Sequence, residues 1–345
     1  MKFLQFLLIP FEYLYYVVTS IRNYLYDKNI FKSKRFEGIK VVSVGNISVG
    51  GSGKTPLTIY LAKRLIENGK NVAVVSRGYK SKIKKGVHEI KEGDSSSLVG
   101  DEPYMIYKNL NSNNLKCKVI VSPKRTKGIG YIKDNYKDVD TVILDDGMQH
   151  RFVYRDIDIL CIDVGSKKAR EDFLSNRLLP RGFLRESVKQ GLKRTDIAVL
   201  NYRSPYKDDI CSKNDIEKIK KLIPVNIPIS KCFINDISFF NYKYEPVDVK
   251  KNIIVFCAIA KPINFFNTLE SFRHSIVKKY IFPDHQAISN KKLEQIFNEA
   301  KTKKLNIVCT EKDFVKLSDK WQKECFFAKI NICFDDENIL KIFLI

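Results

Sequence analysis

The stretch "VGNISVGGSGKTPL", residues 44–57, constrains the fold of this chain more than any other segment. It follows the apolar run "IKVVSV" and precedes an amphipathic segment, so a strand, a glycine-rich turn and a helix succeed one another. Glycines let the backbone curl so that its N–H groups point at phosphate oxygens, and the following helix adds its positive end. The pattern predicts a phosphate-binding P-loop formed by Ser48, Val49, Gly50, Gly51, Ser52, Gly53, Lys54 and Thr55.

The last two residues of this loop have separate predicted roles. Lys54 would reach the β- and γ-phosphates of a nucleotide and act in catalysis, and Thr55 would ligate Mg²⁺. The usual pattern G-x-x-x-x-G-K-[ST] begins with glycine, whereas Ser48 stands at that position here. A glycine-rich turn with a surface lysine is the plainer alternative, and the flanking strand and helix argue against it.

A second pair of residues is predicted to bind the same metal ion. The apolar strand in "TVILDDGMQH" ends in Asp145 and Asp146. P-loop enzymes commonly place an acidic Mg²⁺ ligand at the end of a neighbouring strand. Asp-Gly is also a common turn after any strand, but the P-loop favours the metal role.

Apolar strands and amphipathic helices alternate from residue 39 onward, which predicts a mostly parallel, doubly wound α/β sheet of the P-loop NTPase-like type. The pattern breaks in a polar, turn-rich stretch at 165–190 and then resumes as a second, smaller α/β unit. The predicted domains are 31–165, which binds the nucleotide, and 166–345, which closes over it. We expect a linker near residues 150–170. In an alternative arrangement, the final segment returns to the first domain.

The N-terminal segment, residues 1–30, is predicted to be an apolar helix that associates with a membrane. A spanning helix needs about 20 apolar residues, whereas this run is shorter and carries Glu12 near its middle. Tyr13, Tyr15 and Arg22 suit a helix that lies in the membrane interface. Packing of this helix on the protein's own core is the alternative, and the two arrangements are compatible on different faces.

The composition narrows the class of partner. Lys and Arg number 61 against 39 Asp and Glu, which gives a net charge of +22 and suits a nucleic acid, an anionic membrane or a phosphorylated substrate. A general compositional bias toward Lys, Asn and Ile explains the charge equally well. No repeated basic or stacking-aromatic motif supports nucleic-acid binding, and no N/T-K-x-D element supports a GTPase. The eight cysteines lack any CxxC pair, so we expect reduced core residues.

A kinase needs a group that accepts the proton of its substrate hydroxyl. The stretch "VGDEPYMI" offers Asp101 and Glu102 at a loop-to-helix junction, where acidic residues also serve as helix caps. The stretch "FPDHQ" offers Asp284 and His285, although a lone histidine is often structural.

Taken together, these elements resemble one family, the tetraacyldisaccharide 4'-kinases, also called lipid A 4'-kinases. The resemblance spans residues 41 to about 313 and rests on "VGNISVGGSGKTPL", "VSRGYK", "VGDEPYM", "ILDDGMQHR", "RDIDILCID", "RLLPRGFLRE", "FPDHQ" and "TEKD". It implies transfer of the ATP γ-phosphate to the 4'-hydroxyl of a tetraacyldisaccharide 1-phosphate, which yields lipid IVA. A P-loop ATPase or GTPase of the metallochaperone or protein-targeting type is the other reading.

The resemblance also implies roles for individual residues. Asp101 would accept the hydroxyl proton with help from His285, and domain closure would bring the two together. Gln149 and His150 would lie near the phosphates of ATP. Contacts with the substrate or its phosphate are expected from Arg77, Arg125, Arg185 and Glu186.

The setting that the resemblance implies is the cytoplasmic face of a bacterial inner membrane. The apolar helix would hold the enzyme where the acylated substrate lies, and the basic surface would face anionic lipid. No nucleic-acid partner is expected.

Overall fold

The computed structural model describes residues 6–111, 115–205, 213–284 and 286–336. The described helices are α1 (Ile9–Asp27), α2 (Lys54–Glu67), α3 (Ser96–Val99), α4 (Asp101–Asn111), α5 (Arg125–Asn135), α6 (Lys167–Ser175), α7 (Val188–Leu192), α8 (Lys213–Leu222), α9 (Pro262–Ser271), α10 (Asn290–Lys303), α11 (Glu311–Phe314) and α12 (Asp319–Gln322). The described strands are β1 (Lys40–Gly45), β2 (Val72–Ser76), β3 (His88–Glu89), β4 (Lys118–Val121), β5 (Thr141–Asp145), β6 (Ile157–Asp163), β7 (Ile197–Pro205), β8 (Ile229–Phe240), β9 (Pro246–Val247), β10 (Asn252–Cys257), β11 (Ser275–Ile281), β12 (Asn306–Thr310) and β13 (Phe326–Phe334).

All described strands belong to one mostly parallel sheet. Their order is β11-β10-β12-β13-β8-β7-β6-β1-β5-β2-β4-β3, and β9 pairs with β8 beside this path. The only antiparallel pairs among the described strands are β3 with β4, β8 with β9, and β8 with β13. The β8–β13 pair thus joins two parallel blocks of strands. The sheet confirms the predicted α/β, P-loop NTPase-like class.

Helices cover both faces of the first block because its strands are apolar on both sides. On one face Leu57 and Leu61 of α2 pack with Val44 of β1. On the other face Ile129 and Ile132 of α5 join a separate core cluster. Strands buried on both faces read as continuous apolar runs, which is why the sequence pattern revealed them.

The strand order brings the predicted nucleotide residues to one edge of the sheet. Strand β1 lies between β5 and β6 and leads into the P-loop, while Val44 stands opposite Asp145, the last residue of β5. In open α/β sheets, ligands bind beyond the carboxyl ends of parallel strands. The P-loop and the two aspartates therefore share the edge where a nucleotide is expected.

The sheet runs without a break through the stretch where a linker was expected. Residues 157–163 form β6, which is buried along its whole length and pairs with β1 and β7. The expectation of a linker across 150–170 is therefore corrected, because "IDILCID" is apolar enough to occupy a central position. The division into domains at 165 stays a prediction. Near the C-terminus, the ring of Phe334 lies 5.0 Å from that of Tyr60 on α2.

Helix α1 has one face on the protein and one face outward. Phe11, Leu14, Val18 and Ile21 recur at helical spacing and are 61%, 61%, 56% and 55% exposed. The carboxylate of Glu12 pairs with Arg181 at 3.0 Å on the opposite side, which accounts for a charge in an apolar segment. No described helix is long and apolar enough to cross a membrane.

Seven of the eight cysteines lie in the described residues, and none of these forms a disulfide. Six are buried and Cys333 is half-buried, in agreement with the expected reduced core residues. The charged stretch at 79–97 contributes β3 and the start of α3. Strand β3 pairs with β4.

Candidate active site

One cavity of about 1530 Å³ extends from α1 across the P-loop to the C-terminal half of the chain. Its walls include Lys54 and Thr55 of the loop, Asp145 and Asp146 at the end of β5, and Glu102 at the start of α4. The volume exceeds that of an ordinary small-molecule pocket, which is about 300–1,000 Å³. The cavity is therefore large enough for a nucleotide and part of a second substrate.

The P-loop has the backbone geometry that phosphate binding requires. Gly53 caps the N-terminus of α2 with φ of +89°, in the left-handed region that favours glycine. A Cβ atom there would lie 2.0 Å from Nδ2 of Asn201, so glycine is also required for space. The 14 residues of α2 then direct the positive end of the helix toward the cavity.

Residues of the neighbouring strands β6 and β7 hydrogen-bond to the P-loop. Nδ2 of Asn201, on β7, donates to the carbonyl of Ser52 at 3.0 Å, and the Cys161 thiol donates to the same oxygen at 3.2 Å. The guanidinium of Arg203 donates to the carbonyl of Gly51. These contacts engage the carbonyls of Gly51 and Ser52, which fixes this part of the loop. Asn201 and Arg203 could not be predicted from the sequence, because their proximity to the loop depends on β7 lying next to β6.

The first part of the loop is fixed by the segment that carries Arg185. The N–H of Val49 donates to the carbonyl of Phe183 at 2.7 Å, so this N–H is already engaged. Nδ2 of Asn46 donates to the hydroxyls of Ser48 and Ser52 at 3.2 and 2.8 Å. The Ser48 hydroxyl thus stabilises the turn at the position where glycine is usual.

Asp145 and Asp146 have different environments despite their adjacency. Asp145 is buried, and its oxygens accept hydrogen bonds from Thr58 at 3.2 Å and Ser76 at 3.4 Å. Burial, together with the carboxylates of Glu102 and Asp146, raises the pKa of Asp145 to about 7. A nearby cation would favour its ionised form.

Asp146 lies among cations. Its Oδ1 is 3.6 Å from Nζ of Lys54, and Nη1 of Arg185 donates to its two oxygens at 3.0 and 2.9 Å. Burial acts to raise the pKa of Asp146, but Lys54, Arg185 and Arg125 outweigh it and hold the pKa below its usual value. The Asp146 backbone has φ of +51°, a conformation that aspartate tolerates better than most residues.

A polar network connects this aspartate to α1. Nη1 of Arg185 also donates to Oε1 of Gln149 at 3.1 Å, and Nε2 of Gln149 donates to Glu186 at 3.0 Å. Glu186 is buried, pairs with Arg194 at 2.7 Å and accepts from Asn23 of α1 at 3.1 Å. The predicted residues Gln149, Arg185 and Glu186 therefore form one connected unit.

Arg125, His150 and Arg77 also line the cavity. Arg125 is buried and donates to the carbonyl of Asp146 at 2.9 Å, and burial lowers its pKa to about 10. Burial and the surrounding arginines lower the pKa of His150 to about 4, so its imidazole is neutral at pH 7. Arg77 is exposed at the end of β2. Guanidinium groups at this density suit an anionic ligand.

Asp101 lies at the first residue of α4, and its Oδ2 is 3.6 Å from Nζ of Lys316. Lys312 lies 3.8 Å from Glu102 and 4.0 Å from Asp284. The "GDEP", "PDH" and "TEKD" stretches thus meet at one place. His285 itself lies outside the described residues. Lys312 belongs to the "TEKD" stretch, to which the sequence analysis assigned no role, and Lys316 was not singled out because it reads as an ordinary lysine in a lysine-rich chain.

The donor atoms at the candidate metal position are all oxygens. Thr55, Asp145 and Asp146 supply a hydroxyl and two carboxylates at the end of the P-loop and β5. Mg²⁺ prefers such hard ligands and usually completes its shell with substrate phosphates and water. Within the described ranges there is no cluster of three or more His, Cys, Asp or Glu residues that could hold a metal without a substrate. The residues therefore fit a Mg²⁺ ion that is bound together with a nucleotide.

The sequence matches the family model of the tetraacyldisaccharide-1-P 4'-kinases over residues 4–344. The chain belongs to this family. It is similar to a tetraacyldisaccharide 4'-kinase of Pelodictyon phaeoclathratiforme, with 33% identity over 356 aligned positions that cover 99% of this chain and 97% of the relative. A tetraacyldisaccharide 4'-kinase of Flavobacterium johnsoniae is 34% identical, with coverage of 97% and 94%.

A solved structure of the same family has a similar fold. The crystal structure of LpxK from Aquifex aeolicus in complex with ATP matches this chain with a TM-score of 0.76 and 30% identity, and the match covers 98% of each chain. The family resemblance inferred from sequence motifs is therefore confirmed. Membership in the 4'-kinase family does not favour the alternative of a metallochaperone-type ATPase or GTPase.

Proposed function

We propose that this protein is a kinase that transfers the γ-phosphate of ATP to the 4'-hydroxyl of a tetraacyldisaccharide 1-phosphate and so forms lipid IVA, a step of lipid A biosynthesis. The observation that carries the proposal is the P-loop lysine, Lys54, facing Asp146 in a cavity large enough for a nucleotide and part of a second substrate. The family match over residues 4–344 supports the substrate class.

The P-loop binds the phosphates of ATP. Backbone N–H groups after Val49 and the N-terminus of α2 face the phosphate oxygens, and Lys54 neutralises charge that develops on the transferred group. The ammonium of Lys54 lies 3.6 Å from Asp146, and both residues line the cavity. Arg125 and His150 add donors around the phosphates, and Gln149, whose two amide N–H groups are engaged by the carbonyl of Asn46 and by Glu186, lines the same cavity.

Thr55, Asp145 and Asp146 would hold Mg²⁺ together with ATP, and the ion would supply charge neutralisation for the phosphates during transfer. Ionisation of Asp145, whose pKa is about 7, is favoured by that added positive charge. Arg185 keeps the Asp146 carboxylate oriented through its bonds to both oxygens.

Asp101 accepts the proton of the 4'-hydroxyl, and His285 orients or polarises it. Support comes from the neighbouring residues: Glu102 lines the cavity, and Lys312 approaches both Glu102 and Asp284. Residues from the C-terminal half of the chain therefore lie beside the start of α4. A proton acceptor at this point typically contributes about 10²–10⁴-fold to the rate.

The lipid part of the substrate reaches the site along α1. The outward stripe of Phe11, Leu14, Val18 and Ile21 lies in the interface of the cytoplasmic face of the inner membrane, and the basic surface meets anionic headgroups. Tyr15 and Arg22 on the inner side line the cavity. The same helix thus borders both the membrane and the catalytic cavity.

A direct kinase assay tests the proposal. Full-length protein, ATP, Mg²⁺ and detergent-solubilised tetraacyldisaccharide 1-phosphate are expected to yield the bisphosphorylated lipid, which mass spectrometry detects. The matched control uses the same lipid with its 4'-hydroxyl blocked, which removes the acceptor and leaves the acyl chains intact. ATP consumption that does not depend on the acceptor hydroxyl would contradict the kinase assignment.

A further inference from the structure

A lysine from the C-terminal half of the chain approaches the predicted proton acceptor. Nζ of Lys316 lies 3.6 Å from Oδ2 of Asp101, and the two side chains are only 15% and 18% exposed. Little water therefore competes with the interaction, and screening is weaker than at an open surface. The charge of Lys316 therefore acts directly on the carboxylate at the start of α4.

The segment that carries Lys316 is anchored firmly in the second block of strands. Asp313 is buried, and its Oδ2 accepts from the N–H of Ala258 at 2.9 Å and the hydroxyl of Thr310 at 2.6 Å. The other oxygen of Asp313 lies 3.1 Å from Nζ of Lys316. The ammonium is thus shared between a rigid carboxylate, Asp313, and Asp101.

The same segment is bonded to the helices around Asp101. The hydroxyl of Ser96 on α3 donates to the carbonyl of Val315 at 2.7 Å, and Nδ2 of Asn109 on α4 donates to Glu311 at 2.5 Å. Both contacts are buried. They fix Lys316 relative to α4 more closely than a single flexible ion pair would.

We propose that Lys316 is a positioning residue for phosphoryl transfer, which holds the Asp101 carboxylate in place from the C-terminal half of the chain. The inference rests on the proposed role of Asp101 as proton acceptor. Lys316 itself acts through Asp101. A misplacement of about 1 Å in a reacting group can lower a rate by about 10²-fold, so the loss of this contact is expected to be visible in kcat.

The test compares Lys316→Met and Lys316→Arg in the full chain with ATP and the acyl-disaccharide. Lys316→Met is expected to lower kcat by about 10²-fold with the KM for ATP unchanged, and Lys316→Arg is expected to restore most of the rate. The matched control is Lys320→Met, which removes an equal charge from an exposed lysine that pairs with Glu294 at 3.9 Å. A kcat of Lys316→Met equal to or above that of this control overturns the proposal.

A double variant separates positioning from stability. In an Asp101→Asn background, Lys316→Met is expected to cost no further kcat, because its effect passes through the carboxylate. Losses that multiply overturn the inference while leaving the role of Asp101 intact. If Asp101→Asn alone retains full activity, the proposed role of Asp101 fails and this inference with it. Thermal melts and ATP binding are measured for each variant and for a further variant, Lys316→Gln. If both Lys316→Met and Lys316→Gln unfold, and the unfolding accounts for the lost activity, the proposal is also overturned.

Discussion

Lys54 and Asp146 face each other across neighbouring strands, with 3.6 Å between Nζ and Oδ1. Lys54 begins α2 directly after the P-loop, and Asp146 follows β5, which pairs with β1. The pairing of these two parallel strands therefore sets the distance between the phosphate-binding lysine and the candidate metal ligand.

Replacement of Lys54 by alanine is expected to lower kcat by at least about 10²-fold. The ammonium stabilises charge that develops only in the transition state, so kcat is affected more than the stability of the fold. Steady-state kinetics measures the effect. Lys291→Ala, an exposed lysine on α10, serves as the control. A folded Lys54→Ala variant with a near-normal kcat would remove the P-loop assignment.

Asp101→Ala and His285→Ala are each expected to lower kcat while ATP affinity stays nearly intact. If the two residues act as a unit, the double variant is little slower than the poorer single variant, since effects within a catalytic unit are strongly non-additive. Kinetics on both single variants and the double variant, with thermal melts, provides the measurement. If Asp101 only caps α4, its loss costs about 1 kcal/mol of stability and little activity, and losses that multiply exclude a dyad.

Glu311→Gln is expected to make stability less dependent on pH. Burial raises the pKa of Glu311 from 4.5 to about 7, although Lys329, Asn109 and Lys63 act to lower it. Tyr244 also lies close to Glu311. Between these pKa values the folded state binds more protons than the unfolded state. The free energy of unfolding therefore falls with rising pH, by up to about 1.36 kcal/mol per pH unit.

The glutamine lacks this titration and still accepts the hydrogen bond from Asn109. We expect the variant to gain stability relative to the natural protein as the pH rises from 5 to about 7, measured by urea unfolding at each pH. Glu294→Gln, which changes an exposed glutamate on α10, is the matched control. Parallel stability curves for Glu311→Gln and the natural protein would mean that Glu311 is not protonated in the fold.

Replacement of the α1 stripe by glutamine is expected to release the protein from anionic vesicles. The changes are Phe11→Gln, Leu14→Gln, Val18→Gln and Ile21→Gln. Each large apolar side chain that leaves water contributes about 1.5–3 kcal/mol, and glutamine keeps the helix propensity. Vesicle flotation measures the bound fraction. Deletion of residues 2–20 is less selective, because Tyr15 donates to the carbonyl of Arg185 at 2.9 Å and Glu12 pairs with Arg181.

The control for the stripe removes four exposed apolar side chains elsewhere, with Leu222→Gln, Val225→Gln, Ile263→Gln and Ile281→Gln. This variant is expected to float with vesicles as the natural protein does. If the stripe variant also floats unchanged, the membrane contact lies outside α1. If both variants lose binding equally, general surface hydrophobicity and not the helix is responsible.

The sequence identified the elements whose signals are local. The strands before Gly45 and up to Asp145 are continuous apolar runs, and α2 has its apolar residues at helical spacing. Such patterns arise because a helix buries one apolar stripe and a central strand is buried on both faces. They can therefore be recognised without knowing which elements lie next to one another in the fold. The family motifs added Gln149, Arg185 and Glu186, which the structure places in one network.

Other features depended on the order of the strands. The antiparallel pairing of β8 with β13 joins the two parallel blocks of strands. The position of β7 brings Asn201 and Arg203 within hydrogen-bond distance of the P-loop. Strand partners are separated by long stretches of chain, so their pairing reflects the packing of the whole core and not local propensity.

The sequence by itself determined that the chain has a P-loop, an α/β fold and an apolar N-terminal helix. Only the tertiary structure decided which charges meet: Lys316 with Asp101 and Arg185 with Asp146. It also decided that Asp145 is buried enough to have a pKa of about 7. The reason is physical, because electrostatic interactions and desolvation depend on distances between groups that the chain brings together only when the sheet has formed.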